Sequence, residues 1–315
     1  IVALLVQILP MPRIHKTNFL HYMICGACRS VLAIGRGRFK IESSNPEGED
    51  FKKPAMIVAN HQSVLDIVRI LALTPKVVIM AKKSIWNSPL YGLLLHLSGF
   101  FCSDDNLDET TPKLKELVDN GYSICVFPEG HRSADGEIGK FKSGAYHIAK
   151  TLRLDLVQVV FTGHYQAINR NDLLYTHRAT ISMKVLPRKN FDDVLPRKAM
   201  LESEQTIRME YNLEKERTAT LDNPYYEHIL TQNFIYKGPV LEHYTKMKLK
   251  FEKCYAPIIS LIDKDSTILD LGCGYGYVSM LISELNPNAK ITAVDYDAEK
   301  IEVAKHCFIG KNIDF

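Results

Sequence analysis

The stretch Pro54-Ala55-Met56-Ile57-Val58-Ala59-Asn60-His61-Gln62-Ser63-Val64-Leu65-Asp66 decides the fold. Its first half is an unbroken apolar run, the pattern of a strand buried on both faces. Its second half turns at Asn60-His61 and enters a helix predicted over 64–73. The alternation continues outward. Strands are predicted at 76–80, 99–102, 123–127, 156–162 and 179–186, and helices at 111–119, 145–152 and 198–216. This order predicts an α/β domain with a mostly parallel sheet flanked by helices. The apolar 89–97 stretch reads as either deeply buried or facing lipid.

Two short strings in this frame carry chemistry. The first offers a base, His61, and a carboxylate, Asp66. Residues five apart do not share a helical face. The spacing works if His61 sits on the loop after the strand and Asp66 in the first helical turn. The carboxylate then takes one imidazole N–H and fixes the tautomer, the logic of an activated hydroxyl or amine attacking a thioester. The second string, Phe127-Pro128-Glu129-Gly130-His131-Arg132-Ser133, follows the strand at 123–127. Its arginine can fork onto a phosphate.

The paired strings resemble a known family. NHQSVLD matches the NHx4D block of the glycerolipid (lysophosphatidic-acid type) acyltransferases. FPEGHRS is similar to their FPEGTRS block, with His131 where threonine is usual. Phe141-Lys142-Ser143-Gly144-Ala145 looks like the FKxGA stretch that follows it. The resemblance spans roughly 19–217. It implies His61 as general base oriented by Asp66, an acyl-CoA or acyl-carrier protein donor, and a lysophospholipid-like hydroxyl acceptor. It also implies Asn60, Lys82, Glu129, Gly130 and Arg132 as substrate-binding residues. No acyl-enzyme is implied.

Two departures bear on the acceptor. Asp105, beside Asp104, stands where the family's phosphate-binding arginine is usual. A charge-assisted hydrogen bond is worth roughly 1.5–3 kcal/mol, and carboxylates there repel a phosphate. Lys82, Lys83 and Arg132 are the cations that can compensate. In addition, Leu154-Asp155-Leu156-Val157-Gln158 stands where two prolines are common. A non-phosphate acceptor, such as an amino-lipid or a polyene or aryl alcohol, therefore stays open. So does a catalytically idle lipid-binding module of a transporter, although such a module has no need of a His–Asp pair.

Residues 218–244, with Asn-Pro, Lys-Gly-Pro and many tyrosines, read as a connector to a second unit over 245–315. There Asp270-Leu271-Gly272-Cys273-Gly274-Tyr275-Gly276 follows a strand predicted at 267–271 and opens a helix over 278–285. A second strand, 290–294, ends at Asp295, and a helix over 299–307 follows. This resembles the start of a class I S-adenosylmethionine-dependent methyltransferase with a Rossmann-like fold. The likeness implies Asp270, Gly272, Gly274, Gly276 and Asp295 as cofactor-binding. NAD is the competing cofactor, and the acid leading the turn favours S-adenosylmethionine. The domain is expected to be truncated, unable to methylate as it stands, with an exposed sheet edge.

The remaining composition sets bounds. The 315 residues are 46% apolar and 24% charged with net charge +3, so bulk charge implies no nucleic-acid partner. Residues 1–40 carry Arg13, Lys16, Arg29, Arg36, Arg38 and Lys40 and no acid, which suits an anionic membrane surface. The apolar 1–9 stretch would rise only ~14 Å as a helix. That is short for a bilayer, so 1–18 reads as the end of a membrane helix or a docking segment. Seven scattered cysteines lack metal spacing, and Cys25-Gly-Ala-Cys28 reads as packing. The order of modules resembles bacterial fusions of an MMPL-type lipid exporter, an acyltransferase and a methyltransferase. That order implies a fragment of a longer chain, a fused or neighbouring lipid exporter as partner, and the cytoplasmic face of a bacterial inner membrane.

Overall fold

The structure is a computed structural model describing Val6 and residues 10–88, 92–102, 107–170, 176–252, 254–263, 265–307 and 310–315. Its contacts divide into two compact units, Ile1–Glu216 and Arg217–Phe315.

The first unit opens with the helix Arg13–Gly35. Seven strands follow: β1 (Phe39–Ser44), β2 (Ala55–Ala59), β3 (Val77–Ala81), β4 (Phe101–Cys102), β5 (Ser123–Val126), β6 (Asp155–Thr162) and β7 (Ala179–Val185). They form one sheet in the order β1-β7-β6-β2-β5-β3-β4. All neighbours run parallel except β6 and β7. The mostly parallel sheet expected from the sequence is therefore present. The antiparallel β6–β7 step and the edge strand β1 were not expected from the pattern.

Every residue of β2 is buried because the strand is central and covered on both faces. Its side chains alternate between two cores. Met56 and Val58 pack with Leu114, Tyr146 and Ile207 from helices on one face. Ala55, Ile57 and Ala59 pack with Ile70, Val157 and Phe161 on the other. The helix Val64–Leu73 falls where predicted, capped by Ser63, with Asp66 as its third residue returning to the Ser63 backbone N–H. Arg69 crosses from this helix to the sheet edge, donating to the Ile181 and Glu42 carbonyls and the Ser43 hydroxyl.

The second unit holds three parallel strands, β8 (Thr267–Leu271), β9 (Lys290–Val294) and β10 (Ile313–Asp314), in the order β10-β9-β8. The 218–244 stretch read as a connector is largely helical, in Pro224–Asn233 and the start of Pro239–Phe251. Both prolines that suggested turns occupy the first helical position, where no N–H is needed. Asn223 caps the first helix through the Tyr225 N–H. Of the tyrosines there, Tyr226 is buried with Leu230 and Phe234 against Tyr277 and Met280 of the helix Tyr277–Leu285, whereas Tyr236 and Tyr244 are exposed.

Among the described residues no helix is long and apolar enough to cross a membrane. The expectations for 1–9 (Val6 apart) and for Asp104 and Asp105 lie outside the described residues, as does part of 89–97.

Candidate active site

Three adjacent parallel strands, β6, β2 and β5, end at the same edge of the sheet. Ligands in open α/β sheets bind beyond such carboxyl ends. Here β2 delivers His61, β5 leads into Glu129, and β6 delivers His164.

His61 and Asp66 meet as the spacing required. His61 Nδ1 lies 2.9 Å from Asp66 Oδ2. The same oxygen accepts the backbone N–H groups of Gln62 at 2.6 Å and Ser63 at 2.7 Å. The His61 ring stacks on Phe127, with centroids 4.1 Å apart. Its side chain remains 12% exposed, and no described residue bonds its Nε2. A neutral imidazole with its proton on Nδ1 thus has a free lone pair at Nε2, the state a general base needs.

Asp66 is fully buried. Burial pushes its carboxyl pKa up, but hydrogen bonds from His164 and His61 overcome this and bring it to about 2. His164, also fully buried, donates from Nδ1 to Asp66 Oδ1 at 2.5 Å. Burial holds His164 below the usual histidine range, against the pull of Asp66. The sequence reading missed His164. The signal available was its place directly after Thr162-Gly163 at the end of a buried apolar run.

Two residues expected to bind substrate bond backbone groups. Asn60 is sealed from solvent. Its amide donates to the Phe161 carbonyl at 2.9 Å and accepts the Phe161 N–H at 2.8 Å, tying β2 to β6. Glu129 is 2% exposed; Oε1 accepts the His61 N–H and Oε2 the Gly139 N–H. Burial raises the Glu129 pKa in spite of these bonds. Both arrangements have one reason: a buried polar side chain must pair, and the backbone groups at the strand ends are the partners within reach.

The other predicted residues lie nearer the surface. Gly130 has φ +76°, and a Cβ there would approach Lys142 Nζ to 3.1 Å. Lys142 therefore lies over this turn. Arg132 is half-buried, Lys82 and His131 are exposed, and neither Arg132 nor Lys82 makes an ion pair among the described residues. The loop is anchored from below. Ser133 N–H donates to the His61 carbonyl at 2.8 Å. Gln62 Nε2 and Tyr211 Oη both donate to the Gly136 carbonyl. Arg208 reaches the Ile138 and Gly139 carbonyls. A cavity of about 310 Å³ bordered by Arg29, Arg36, Arg69 and Met183 has none of the predicted site residues in its lining.

In the second unit, Gly272, Gly274 and Gly276 all have positive φ, the reason for glycine at these positions. Asp295 Oδ2 accepts the Gly274 N–H at 2.7 Å, and Oδ1 that of Asp297 at 2.9 Å. Asp270 accepts the Ser279 hydroxyl at 2.6 Å. A Cβ on Gly272 or Gly274 would meet nothing within 4 Å. The turn at Gly272 and Gly274 is thus an open cradle beside the half-buried Asp295 carboxylate, which fits a nucleoside group.

Comparison with known proteins agrees with both units. Residues 39–162 match the acyltransferase family model, and residues 262–313 match a methyltransferase domain model. A 1-acyl-sn-glycerol-3-phosphate acyltransferase of Limnanthes douglasii is 32% identical over 198 residues, covering 60% of this chain and 68% of that protein. One of Cocos nucifera is 37% identical over 138 residues, covering 40% and 44%. The fold is that of the crystal structure of the 1-acyl-sn-glycerophosphate (LPA) acyltransferase PlsC from Thermotoga maritima, at 22% identity and TM-score 0.57 over 68% of this chain and 87% of that one. The first unit is thus an acyltransferase domain of PlsC-like fold. The chain belongs to the 1-acyl-sn-glycerol-3-phosphate acyltransferase family, and it carries a methyltransferase domain besides. It spans about half the length of several curated relatives it matches.

Proposed function

We propose that the first unit transfers a fatty acyl group from acyl-CoA or acyl-carrier protein to a lysophospholipid-like hydroxyl, with His61 as general base. The observation that carries this reading is the His61 ring. Its Nδ1 is fixed by a buried carboxylate, while its Nε2 is free at the end of the central strand. The acceptor hydroxyl gives its proton to Nε2 as its oxygen attacks the thioester carbonyl. The tetrahedral adduct then collapses, breaking the C–S bond, and the proton passes to the departing thiolate. Asp66 holds the ring in place and stabilises the imidazolium while it exists. Lys142, Arg132 and Lys82 supply positive charge for an anionic acceptor headgroup or donor. The basic N-terminal segment supports association with an anionic membrane surface.

In the second unit, Gly272, Gly274 and Gly276 would cradle S-adenosylmethionine, and Asp295 would accept its ribose hydroxyls. When bound, that cofactor supplies a methyl group to a nucleophile. A fused or neighbouring lipid exporter, and the cytoplasmic face of a bacterial inner membrane, rest on the order of modules.

The test is acyl transfer by the full chain in detergent from radiolabelled acyl-CoA and acyl-carrier protein. Lysophosphatidic acid, glycerol 3-phosphate and a bacterial lipid extract serve as acceptors. Label in phosphatidic acid is expected. Label only in another extract lipid would transfer the reading to a non-phosphate acceptor, the alternative that Asp105 favours. No label with any acceptor would overturn the enzymatic reading.

A further inference from the structure

The two oxygens of Asp66 are held differently. Oδ2 accepts three hydrogen bonds, from His61 Nδ1, Gln62 N and Ser63 N. Oδ1 has one partner among the described residues, His164 Nδ1. His164 is sequence-distant and arrives on another strand. Its ring stacks on Phe161, with centroids 4.9 Å apart. Phe161 is the residue whose peptide is clamped by Asn60, one position before His61. Gly163, at φ +78°, makes the turn that aims the ring inward, and a Cβ there would lie 2.0 Å from the Thr180 carbonyl oxygen.

The other ring nitrogen defines the tautomer. His164 Nε2 is buried and has no hydrogen-bond partner among the described residues. A protonated ring would place an N–H there with nothing to accept it, in a site sealed from water. The ring is therefore neutral, its single proton on Nδ1 and donated to Asp66.

We propose that His164 is a positioning residue for acyl transfer: its Nδ1–H fixes the second oxygen of Asp66 and so keeps that carboxylate aligned on His61. This rests on the reading of His61 and Asp66 given above. His61 and His164 bond the Asp66 carboxylate directly. Arg69, three residues on, interacts with Asp66 and with His164 through space, and the Asp66 charge in turn reaches Cys125 and Glu129. None of those three donates to Oδ1.

The test uses the full chain with carboxyl-13C aspartate, the Asp66 signal being assigned by its loss in Asp66→Asn. In the native protein Asp66 should stay ionised to the lowest pH at which the fold survives. In His164→Leu it should take up its proton about one to two pH units higher, the scale of one lost hydrogen bond to a charged group. Acyl transfer should lose about tenfold or more in kcat with KM unchanged. His164→Asn, whose side-chain amide can place an N–H where Nδ1–H stands, should restore both. If His164→Leu does not fold, His164→Asn and His164→Gln decide. Asn should titrate like the native protein, whereas Gln, whose donor lies one bond further out, should not. An unshifted Asp66 titration and an unchanged kcat in His164→Leu, with transfer still abolished in His61→Ala, would reduce His164 to packing and leave the general-base reading intact. Native-like transfer in His61→Ala would remove both.

Discussion

Glu129 accepts the backbone N–H of His61 at 2.8 Å, so the acid of one motif holds the base of the other. The second oxygen of Glu129 accepts the Gly139 N–H at 2.7 Å. One buried carboxylate thereby joins the loop after β2 to the loop after β5. Two motifs separated in sequence act as one rigid edge.

Glu129→Gln tests this junction. An amide offers one acceptor, and its NH2 group must then face a second N–H. A buried donor left unpaired costs about 1–3 kcal/mol. The variant should unfold at correspondingly lower denaturant, with kcat falling more than KM rises as His61 loses its anchor. Unchanged unfolding would show that the junction contributes little.

Acid stability should carry the signature of Asp66. Its folded pKa, about 2 against an ordinary 3.8, is depressed. The stability it contributes is therefore present above the unfolded value and lost as pH falls through the folded one. Glu129 runs the opposite way, since its pKa is raised. The difference between the native protein and Asp66→Asn isolates the aspartate. That difference, measured by denaturant unfolding, should shrink by roughly 2 kcal/mol between about pH 4 and pH 2. A difference independent of pH would contradict the assignment.

What the sequence showed and what it hid divide along physical lines. The apolar run before Asn60 announced β2 because a strand buried on both faces needs no alternation. The His61–Asp66 pair was legible because its geometry is local. Glu129 and Asn60 were legible as important, but not as backbone anchors, because their partners Gly139 and Phe161 are fixed only by the fold. His164 was hidden for the same reason: it meets Asp66 only once β6 pairs with β2. The stretch after 218 misled because Asn-Pro and Gly-Pro signal a turn and a helix start equally well.

Glycine substitutions should separate sharply by site. Gly163→Ala places a methyl 2.0 Å from the Thr180 carbonyl oxygen at a positive φ. It should destabilise by several kcal/mol, on the order of the larger single-substitution effects, and lower acyl transfer by displacing His164. Gly144→Ala, at the start of the helix Gly144–Leu152 with nothing within 4 Å of the new methyl, should instead stabilise by about 0.4–1 kcal/mol. Thermal unfolding of the two variants checks both signs.

For the second unit, S-adenosylmethionine binding to the full chain, followed by calorimetry, should weaken about tenfold or more in Asp295→Ala, which removes an acceptor for ribose hydroxyls. The same change also removes the partner of the Gly274 N–H. Equal binding by native protein and variant would take Asp295 out of the cofactor site.

The most direct test of the central claim is the acyl-transfer rate of His61→Ala beside the native full chain, with lipid binding to vesicles measured in parallel. A general base contributes about 10²–10⁴-fold. The variant should lose transfer on that scale while folding and binding lipid as before. Transfer at the native rate would remove His61 from the chemistry and leave the His61–Asp66 pair as a helix cap alone.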